Sequence, residues 1–268
     1  MKWWFSDYDG TINLQHDDSI DPRDLDFINR WIKNNNAFAI ATGRMVSEVQ
    51  EVLAKNNVPY NYIICNNGAM VYEKDKGVIV ETPIPLEYRK DIIEVLDKLR
   101  DKYILGYCLL DQRKDYAKPY LEEIDSNPFL SKYAPKKNNY EIGKKDILEN
   151  KDVNLIYVYV NKDEAIEMRT FLEKQLPFLK VVRTHINVIE IMQKDVSKAH
   201  GILEIQKLKG FKMEDVITSG DGENDIEMLA LTKNSFTMKH HQPGVREHAE
   251  YEINNVFEIE DILNFDLT

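Results

Sequence analysis

Short apolar runs alternate with amphipathic segments along the first third of the chain. The apolar runs have the length of strands and span residues 3–7, 37–43 and 61–69. Such runs are typical of strands that are buried on both faces of a sheet. Asp21 and Pro22 open an intervening segment with apolar residues at helical spacing, and residues 45–57 repeat that pattern. The series predicts a parallel sheet with right-handed crossovers.

Near residue 83 this alternation is interrupted by the stretch TPIPLEY, whose two prolines are typical of a linker. A second set of helix and strand patterns follows, and the first alternation returns at about residue 197. The sequence therefore predicts an α/β protein with a doubly wound, Rossmann-like parallel-sheet core at residues 1–82 and 187–268. An inserted α/β domain is expected at 83–186.

Composition narrows the classes of protein that fit. The 268 residues carry a net charge of −11, which disfavours binding to nucleic acid or to an anionic membrane surface. The two cysteines, Cys65 and Cys108, have no metal-type spacing and are expected to be buried thiols in a reducing compartment. No apolar run approaches the roughly 18–20 residues that span a bilayer. We expect a cytoplasmic protein that is a monomer or a homodimer.

Chemically specific residues follow the predicted ends of strands. In open parallel sheets, ligands bind beyond the carboxyl ends of the strands, so these residues are expected to meet. Lys198 opens a predicted helix in the returning half of the core. The strand-end segments are Asp7-Tyr8-Asp9-Gly10-Thr11, Thr42-Gly43-Arg44 and Gly220-Asp221-Gly222-Glu223-Asn224-Asp225.

Paired carboxylates at this edge suit phosphoryl transfer through a covalent intermediate. Asp7 is expected to be the nucleophile that attacks phosphorus, and Asp9 the general acid and base. Carboxylates and a phosphate repel each other unless a cation intervenes. Mg²⁺ would resolve this repulsion by taking oxygen ligands from Asp7, Asp221 and a backbone carbonyl.

Neutral and basic groups would hold the phosphoryl oxygens. Thr42 can donate its hydroxyl and Gly43 its backbone N–H, while Lys198 can supply a positive charge to the phosphoryl group and to Asp7. The N-terminus of the helix that begins at Lys198 adds a favourable dipole.

Each of these features also has a simpler structural interpretation. Asp7 and Asp9 could belong to a solvated turn, and Thr42-Gly43 to an ordinary strand-to-helix turn. Lys198 could be a surface lysine. The remaining ionisable residues have similar alternatives: Arg44 a surface ion pair, Asp225 an acid at a helix start, and His240 with His241 an exposed loop pair.

The segments DYDGT, ATGR, SKAHG and GDGEND together resemble the four motifs of the haloacid dehalogenase superfamily of phosphatases. The long insertion is similar to the class II, subtype B cap of the Cof-like branch. The resemblance implies a Mg²⁺-dependent phosphatase that acts on a small phosphorylated metabolite, either a sugar phosphate or a phosphorylated cofactor. A sugar phosphomutase and a silent phosphate-binding module are the alternatives.

The resemblance also implies roles for individual residues. Asp221 would bind the metal directly, together with the backbone carbonyl of Asp9, and Asn224 and Asp225 would hold phosphate, metal-bound water or Lys198. Tyr8 and Arg44 are expected to contact phosphate or substrate. The chain departs from the family at Lys239-His240-His241, where many relatives carry a Gly-Asn pair, and that loop is expected to border the site.

Overall fold

The computed structural model describes residues 1–110, 112–117 and 140–267. Its backbone divides into two compact units. The core unit consists of Met1–Val80 and Val196–Thr268, and the cap unit of Glu81–Asp195.

The secondary structure follows the expected alternation in both halves of the core. The strands of the described residues are β1 (Trp3–Ser6), β2 (Ala37–Ala41), β3 (Tyr62–Cys65), β4 (Met70–Glu73), β5 (Gly77–Glu81), β6 (Ile104–Leu109), β7 (Gln112–Ala117), β8 (Val153–Tyr159), β9 (Leu179–His185), β10 (Val188–Gln193), β11 (Val216–Gly220), β12 (Ser235–Met238) and β13 (Tyr251–Ile253). The helices are α1 (Pro22–Lys33), α2 (Val46–Lys55), α3 (Arg89–Leu99), α4 (Tyr140–Glu149), α5 (Ala165–Gln175), α6 (Lys198–Lys209), α7 (Ile226–Leu229) and α8 (Glu258–Ile262).

The core sheet is doubly wound around its first strand. Its spatial order is β13-β12-β11-β1-β2-β3-β4-β5, and the six strands from β13 to β3 are parallel. The chain leaves β1 in one direction through β2 and β3, and returns on its other side through β11, β12 and β13. The direction of winding therefore reverses between β1 and β11, which is where open α/β sheets bind ligands. The predicted fold class, a doubly wound core with an inserted cap, is confirmed.

Aromatic packing explains why β1 is buried on both faces. Trp3 stacks on Phe211 with ring centroids 4.3 Å apart, whereas Trp4 faces the opposite side and lies 4.6 Å from Phe38 and 5.1 Å from Phe27. Alternate residues of a strand point to opposite faces, so the run of aromatic residues fills both layers at once. The carboxyl end of β1, where the acidic residues begin, is anchored by this packing.

Helix α1 begins as its sequence indicates. Asp21 accepts a hydrogen bond from the backbone N–H of Arg23 at 2.9 Å, and Pro22 occupies the first helical position. Further along α1, Asp24 is fully buried and accepts hydrogen bonds from the backbone N–H of Phe257 and the side chain of Asn255, both at 3.0 Å. This carboxylate ties the helix to the C-terminal segment.

The core sheet ends in an antiparallel edge that the expectation of a parallel sheet did not include. The run predicted as one strand over 61–69 is the shorter strand β3, a 3₁₀ turn at Asn66–Gly68, and the start of β4. β4 then pairs antiparallel with β3. After β11, the chain forms a 3₁₀ turn at Glu223–Asp225 that is followed by the single turn of α7.

Among the residues that the structure describes, the cap unit has an antiparallel sheet of five strands in the order β7-β6-β8-β10-β9. Its core combines apolar side chains of this sheet with those of α3, α4 and α5. The predicted boundary between residues 186 and 187 is wrong. β10 pairs antiparallel with both β8 and β9, so it completes the cap sheet, and the core unit resumes at Val196.

A buried arginine holds the beginning of the cap unit together. Arg89 is fully buried, and its guanidinium donates hydrogen bonds to the backbone carbonyls of Ile84, Ile147 and Val153. Burial lowers the pKa of Arg89 to about 10. This side chain therefore links the segment before α3 with the end of α4 and the start of β8.

Within the ranges that the structure describes, the helices are too short or too polar to cross a lipid bilayer.

Candidate active site

The loop after β1 directs Asp7 toward β11. The backbone N–H of Asp7 donates to the carbonyl of Ser219 at 2.8 Å, which extends the pairing of β1 and β11 by one residue. Gly10 then turns the chain with a φ of +89°, and a Cβ at this position would lie 2.5 Å from Oδ2 of Asp221. Only glycine fits this close approach, and it brings the two acidic segments together.

Lys198 lies between two of the predicted acidic residues. Helix α6 begins at this residue, and Ser197 caps it by accepting a hydrogen bond from the N–H of His200 at 3.1 Å. The ammonium Nζ of Lys198 is 2.6 Å from Oδ1 of Asp7 and 2.5 Å from Oδ1 of Asp225. Burial alone would lower the pKa of Lys198, but the charges of Asp225 and Asp7 outweigh it and raise that pKa above its ordinary value.

Asp225 fixes the turn that follows β11. Its Oδ2 accepts hydrogen bonds from the backbone N–H groups of Asp221 at 3.0 Å and Gly222 at 2.8 Å. With Lys198 on Oδ1, both oxygens of this fully buried carboxylate have partners. Asp225 therefore positions Asp221 as well as Lys198.

Asp7, Asp221 and Asp225 form a cluster of buried carboxylates. Each offers an oxygen, and these oxygens lie within 4.8 Å of one another. The pKa of Asp7 is raised well above its usual range because burial and the neighbouring acids Asp225 and Asp221 outweigh the attraction of Lys198. The pKa of Asp221 is raised for the same reasons, burial first and Asp225 second.

The cluster carries more negative charge than Lys198 can balance, and it is lined by hard oxygen ligands. The hydroxyl of Thr11 donates to Oδ1 of Asp221 at 3.0 Å and lies 3.5 Å from Oδ2 of Asp7, which aligns two of the carboxylates. Hard divalent cations such as Mg²⁺ prefer this donor set. The residues present therefore fit a divalent cation.

The carboxylate of Asp9 lies outside this cluster, although the spacing of the two aspartates predicts a shared face. It is turned toward Arg44, whose Nε is 2.7 Å from Oδ2 and whose second nitrogen is 2.5 Å from Oδ1. Arg44 also donates to Oδ1 of Asp18 at 3.0 Å, and its guanidinium lies 5.0 Å from the centre of the Tyr8 ring. In this arrangement Arg44 binds two carboxylates of its own chain.

Tyr8 is fully buried beneath Arg44, and its hydroxyl lacks a hydrogen-bond partner among the described residues. Burial, and the charge of Asp18 after it, raise the pKa of this hydroxyl above its ordinary value. Tyr8, which the sequence predicts to contact phosphate or substrate, thus lies with its ring against the guanidinium of Arg44.

Thr42 and Gly43 follow β2, at the same edge of the sheet as Asp7. The backbone N–H of Thr42 donates to the carbonyl of Ile64 at 2.8 Å, and its hydroxyl accepts a hydrogen bond from the N–H of Arg44 at 3.1 Å. A Cβ at Gly43 would lie 3.3 Å from the side chain of Asn67. These contacts hold the segment after β2 against the turn after β3.

That turn consists of Asn66, Asn67 and Gly68. Its three residues have φ values of 48°, 53° and 101°. A Cβ at Gly68 would lie 1.9 Å from the carbonyl oxygen of Ser197, the residue that caps α6. The side chain of Asn224, which was expected to contact substrate, donates to Oδ1 of Asn67 at 3.0 Å. The run of residues that tolerate positive φ was the available signal.

The loop at Lys239-His240-His241 borders the acidic site, as predicted. His240 Nε2 lies 2.7 Å from the backbone carbonyl of Gly10, whereas His241 faces Glu252 with Nε2 at 3.5 Å. The next residue, Gln242, donates its backbone N–H to the carbonyl of Asp221 at 2.8 Å. The loop therefore contacts the backbone of both acidic segments, at Gly10 and at Asp221.

Comparison with known proteins identifies similar chains. The sequence model of the haloacid dehalogenase-like hydrolases matches residues 4–262. The chain is 26% identical over 267 residues to an uncharacterised protein of Mycoplasma capricolum, covering 96% of this chain and 98% of that protein. It is 25% identical over 230 residues to the 5-amino-6-(5-phospho-D-ribitylamino)uracil phosphatase of Bacillus subtilis, covering 83% of this chain and 81% of that enzyme.

A solved structure of a subclass IIB sugar phosphatase of the superfamily superposes with a TM-score of 0.81. It is 21% identical in sequence, and the superposition covers 98% of this chain and 99% of the other. At this identity, the likeness concerns the fold.

Proposed function

Because the chain belongs to the haloacid dehalogenase-like hydrolases and is a phosphatase of that superfamily, we propose that it hydrolyses phosphomonoesters through an aspartyl phosphate. The observation that carries this proposal is the buried ammonium of Lys198 between Asp7 and Asp225, inside an acidic cluster at the switch point of the sheet. A structural protein gains little from such a cluster, because burying it is costly.

Asp7 is the proposed nucleophile. Its Oδ1 is held by Lys198, which leaves Oδ2 on the side of Thr11, whereas both oxygens of Asp225 are engaged by firm hydrogen bonds. A carboxylate oxygen of Asp7 attacks phosphorus, and the bond from phosphorus to the alkoxide oxygen of the substrate breaks. Water then attacks the phosphorus of the aspartyl phosphate, which releases inorganic phosphate and restores the carboxylate.

Asp9 is the proposed general acid and base. It donates a proton to the departing alkoxide and takes one from the attacking water in the second step. The hydroxyl of Thr42, the N–H of Gly43 and the ammonium of Lys198 stabilise the charge on the phosphoryl oxygens. Asn224 supports this set through its hydrogen bond to Asn67.

Mg²⁺ would be held by Asp7 and Asp221, with the backbone carbonyl of Asp9, and Asp225 would orient these ligands. When bound, the cation would neutralise the repulsion between the acidic cluster and the phosphate. Burial first, and the neighbouring acids after it, raise the pKa values of Asp7 and Asp221, and a cation bound there would favour their ionised forms.

The proposed substrate is a small phosphorylated metabolite, a sugar phosphate or a phosphorylated cofactor. Two similarities support this class: one relative is named for a phosphoribityl substrate, and one structural neighbour is a sugar phosphatase.

The test is release of inorganic phosphate from a panel of phosphorylated metabolites, with Mg²⁺ or with EDTA. The Asp7→Asn variant is measured in parallel. We expect Mg²⁺-dependent release by the wild type and none by the variant. Activity that survives Asp7→Asn would exclude the proposed nucleophile, and isomerised product without free phosphate would indicate a mutase.

A further inference from the structure

Asn13 is a buried amide that the phosphatase motifs do not include. Its side chain is fully buried, four residues after Asp9, and its Nδ2 donates to Oδ1 of Asp9 at 3.0 Å. Its Oδ1 accepts a hydrogen bond from the backbone N–H of Asp18 at 3.1 Å. The amide therefore connects Asp9 to the far end of the same loop.

The backbone of Asn13 is held as firmly as its side chain. Its N–H donates to the carbonyl of Tyr8 at 2.8 Å, and its carbonyl accepts from the N–H of Gly10 at 3.0 Å. These bonds close the loop on either side of Asp9. The amide donor is consequently presented to Asp9 from a fixed position.

Asp9 thus receives hydrogen bonds from two directions. Arg44 binds both of its oxygens, and Asn13 binds Oδ1 from the buried side. Asp18 lies behind them and accepts from Arg44 at 3.0 Å, so the guanidinium keeps a second carboxylate partner. The side chain of Asp9 is 31% exposed, and the arrangement leaves it fixed but within reach of solvent.

We propose that Asn13 is a positioning residue that, together with Arg44, sets the orientation of the Asp9 carboxylate for proton transfer to the leaving group. This inference rests on the proposed function, in which Asp9 is the general acid. It makes Arg44 a partner of Asp9 rather than a ligand of the substrate phosphate. A misplaced Asp9 would also slow the attack of water in the second step, which is the same for every ester. The effect on the leaving group is therefore read from kcat/KM, which reports the steps up to release of the alcohol.

The test uses leaving groups of different basicity. Para-nitrophenyl phosphate releases a phenolate that is stable without a proton, whereas glycerol phosphate releases an alkoxide that needs one. Asn13→Asp keeps the size of the side chain and the acceptor for Asp18, but replaces the donor to Asp9 with a carboxylate. We expect its kcat/KM on glycerol phosphate to fall about 100-fold, within the range that general acids contribute. Its kcat/KM on para-nitrophenyl phosphate should stay within about threefold, since phosphate binding and attack by Asp7 are unaffected.

Two comparisons separate positioning from loop stability. Asp9→Asn gives the pattern expected when the acid itself is lost. Asn56→Ala removes the hydrogen bond of 2.8 Å from Nδ2 to the carbonyl of Asp18, which loosens the same loop without touching Asp9. We expect Asn13→Asp to share the leaving-group dependence of Asp9→Asn, and Asn56→Ala to treat both esters alike.

Contact between the two side chains is measured separately by urea unfolding. The double variant Asp9→Asn with Asn13→Asp exchanges donor and acceptor, so it should recover stability that Asn13→Asp alone loses. Equal losses of kcat/KM on the two esters for Asn13→Asp, or no loss on either ester, would each overturn the inference. Phosphatase activity that survives Asp7→Asn would instead overturn the proposed function.

Discussion

The acidic cluster predicts that removing the nucleophile stabilises the protein without metal. Oxygens of Asp7, Asp221 and Asp225 lie within 4.8 Å of one another, so each repulsion of Asp7 amounts to at least about 3.5 kcal/mol at an effective dielectric constant of about 20. The attraction of Lys198 at 2.6 Å amounts to about 6 kcal/mol on the same scale. Attraction and repulsion nearly cancel, and burial then makes the ionised form of Asp7 unfavourable, in agreement with its raised pKa.

Asp7→Asn removes this charge while its side-chain oxygen can still accept a hydrogen bond from Lys198. We expect the free energy of unfolding in EDTA to rise by about 1–3 kcal/mol, although phosphatase activity is lost. Mg²⁺ at about 100 times its dissociation constant should stabilise the wild type by about 2.7 kcal/mol, and the variant by less.

Asp225→Asn is the matched control. Asp225 accepts hydrogen bonds from Lys198 and from the backbone N–H groups of Asp221 and Gly222, and an amide cannot accept all three in the same geometry. We expect this variant to lose about 2–4 kcal/mol. Two neighbouring substitutions of the same chemical kind should therefore change stability in opposite directions.

Urea unfolding at neutral pH, followed by tryptophan fluorescence, measures these changes in the stability of the core unit. The chain has three tryptophans, Trp3, Trp4 and Trp31, and all lie in the core unit. The signal therefore reports the unit that contains the cluster. The reasoning would be refuted if Asp7→Asn lost stability in EDTA to the same extent as Asp225→Asn.

Three further predictions concern other parts of the fold. Burial raises the pKa of Asp24 from 3.8 to about 6, so the folded protein binds this proton more tightly than the unfolded chain does. The free energy of unfolding should therefore fall by up to about 3 kcal/mol as the pH rises from about 4 to 6. Asp24→Asn should remove this contribution to the pH dependence of thermal unfolding. Arg89→Met leaves three buried carbonyls without their donor, so it should speed hydrogen exchange in the cap unit but not in the core unit. Arg100→Met, at an exposed position, should leave hydrogen exchange in both units unchanged. Gly10→Ala places a Cβ 2.5 Å from Asp221 and should lower kcat at least about 100-fold, while Gly77→Ala, with a similar φ of +88° and nothing within 4 Å, should keep full activity.

The fold was predictable wherever burial and local capping act together. The apolar runs around Trp4 and Phe38 are buried on both faces, and Asp21 caps α1 as its sequence indicates. The antiparallel edge after Asn66 was missed, and β10 was assigned to the wrong unit. Both errors concern which strands pair with each other. The apolar pattern of a strand predicts that the strand is buried, but it does not predict which strand lies beside it.

The site was predictable where residues carry charge. Asp7 and Asp221 meet because the parallel strands β1 and β11 bring their carboxyl ends to one edge, and Lys198 reaches Asp7 from the start of α6. Asn13 was missed because the value of a neutral amide depends on partners that only the folded loop supplies. The orientation of Asp9 toward Arg44 was also not predictable from the sequence. The alternation of side chains along a strand no longer applies where Gly10 turns the chain.

The turn at Asn66-Asn67-Gly68 carries no ionisable group, yet it is in contact with three of the four sequence motifs. It accepts and donates hydrogen bonds with the segments of Thr42 and Asn224, and its glycine lies against the residue before Lys198. A mutational survey restricted to acids, bases and nucleophiles would pass over it. A substitution that distorts this turn would nevertheless leave every reacting group in the sequence and still slow turnover. The three motif segments that the turn contacts would no longer be held in fixed positions relative to one another.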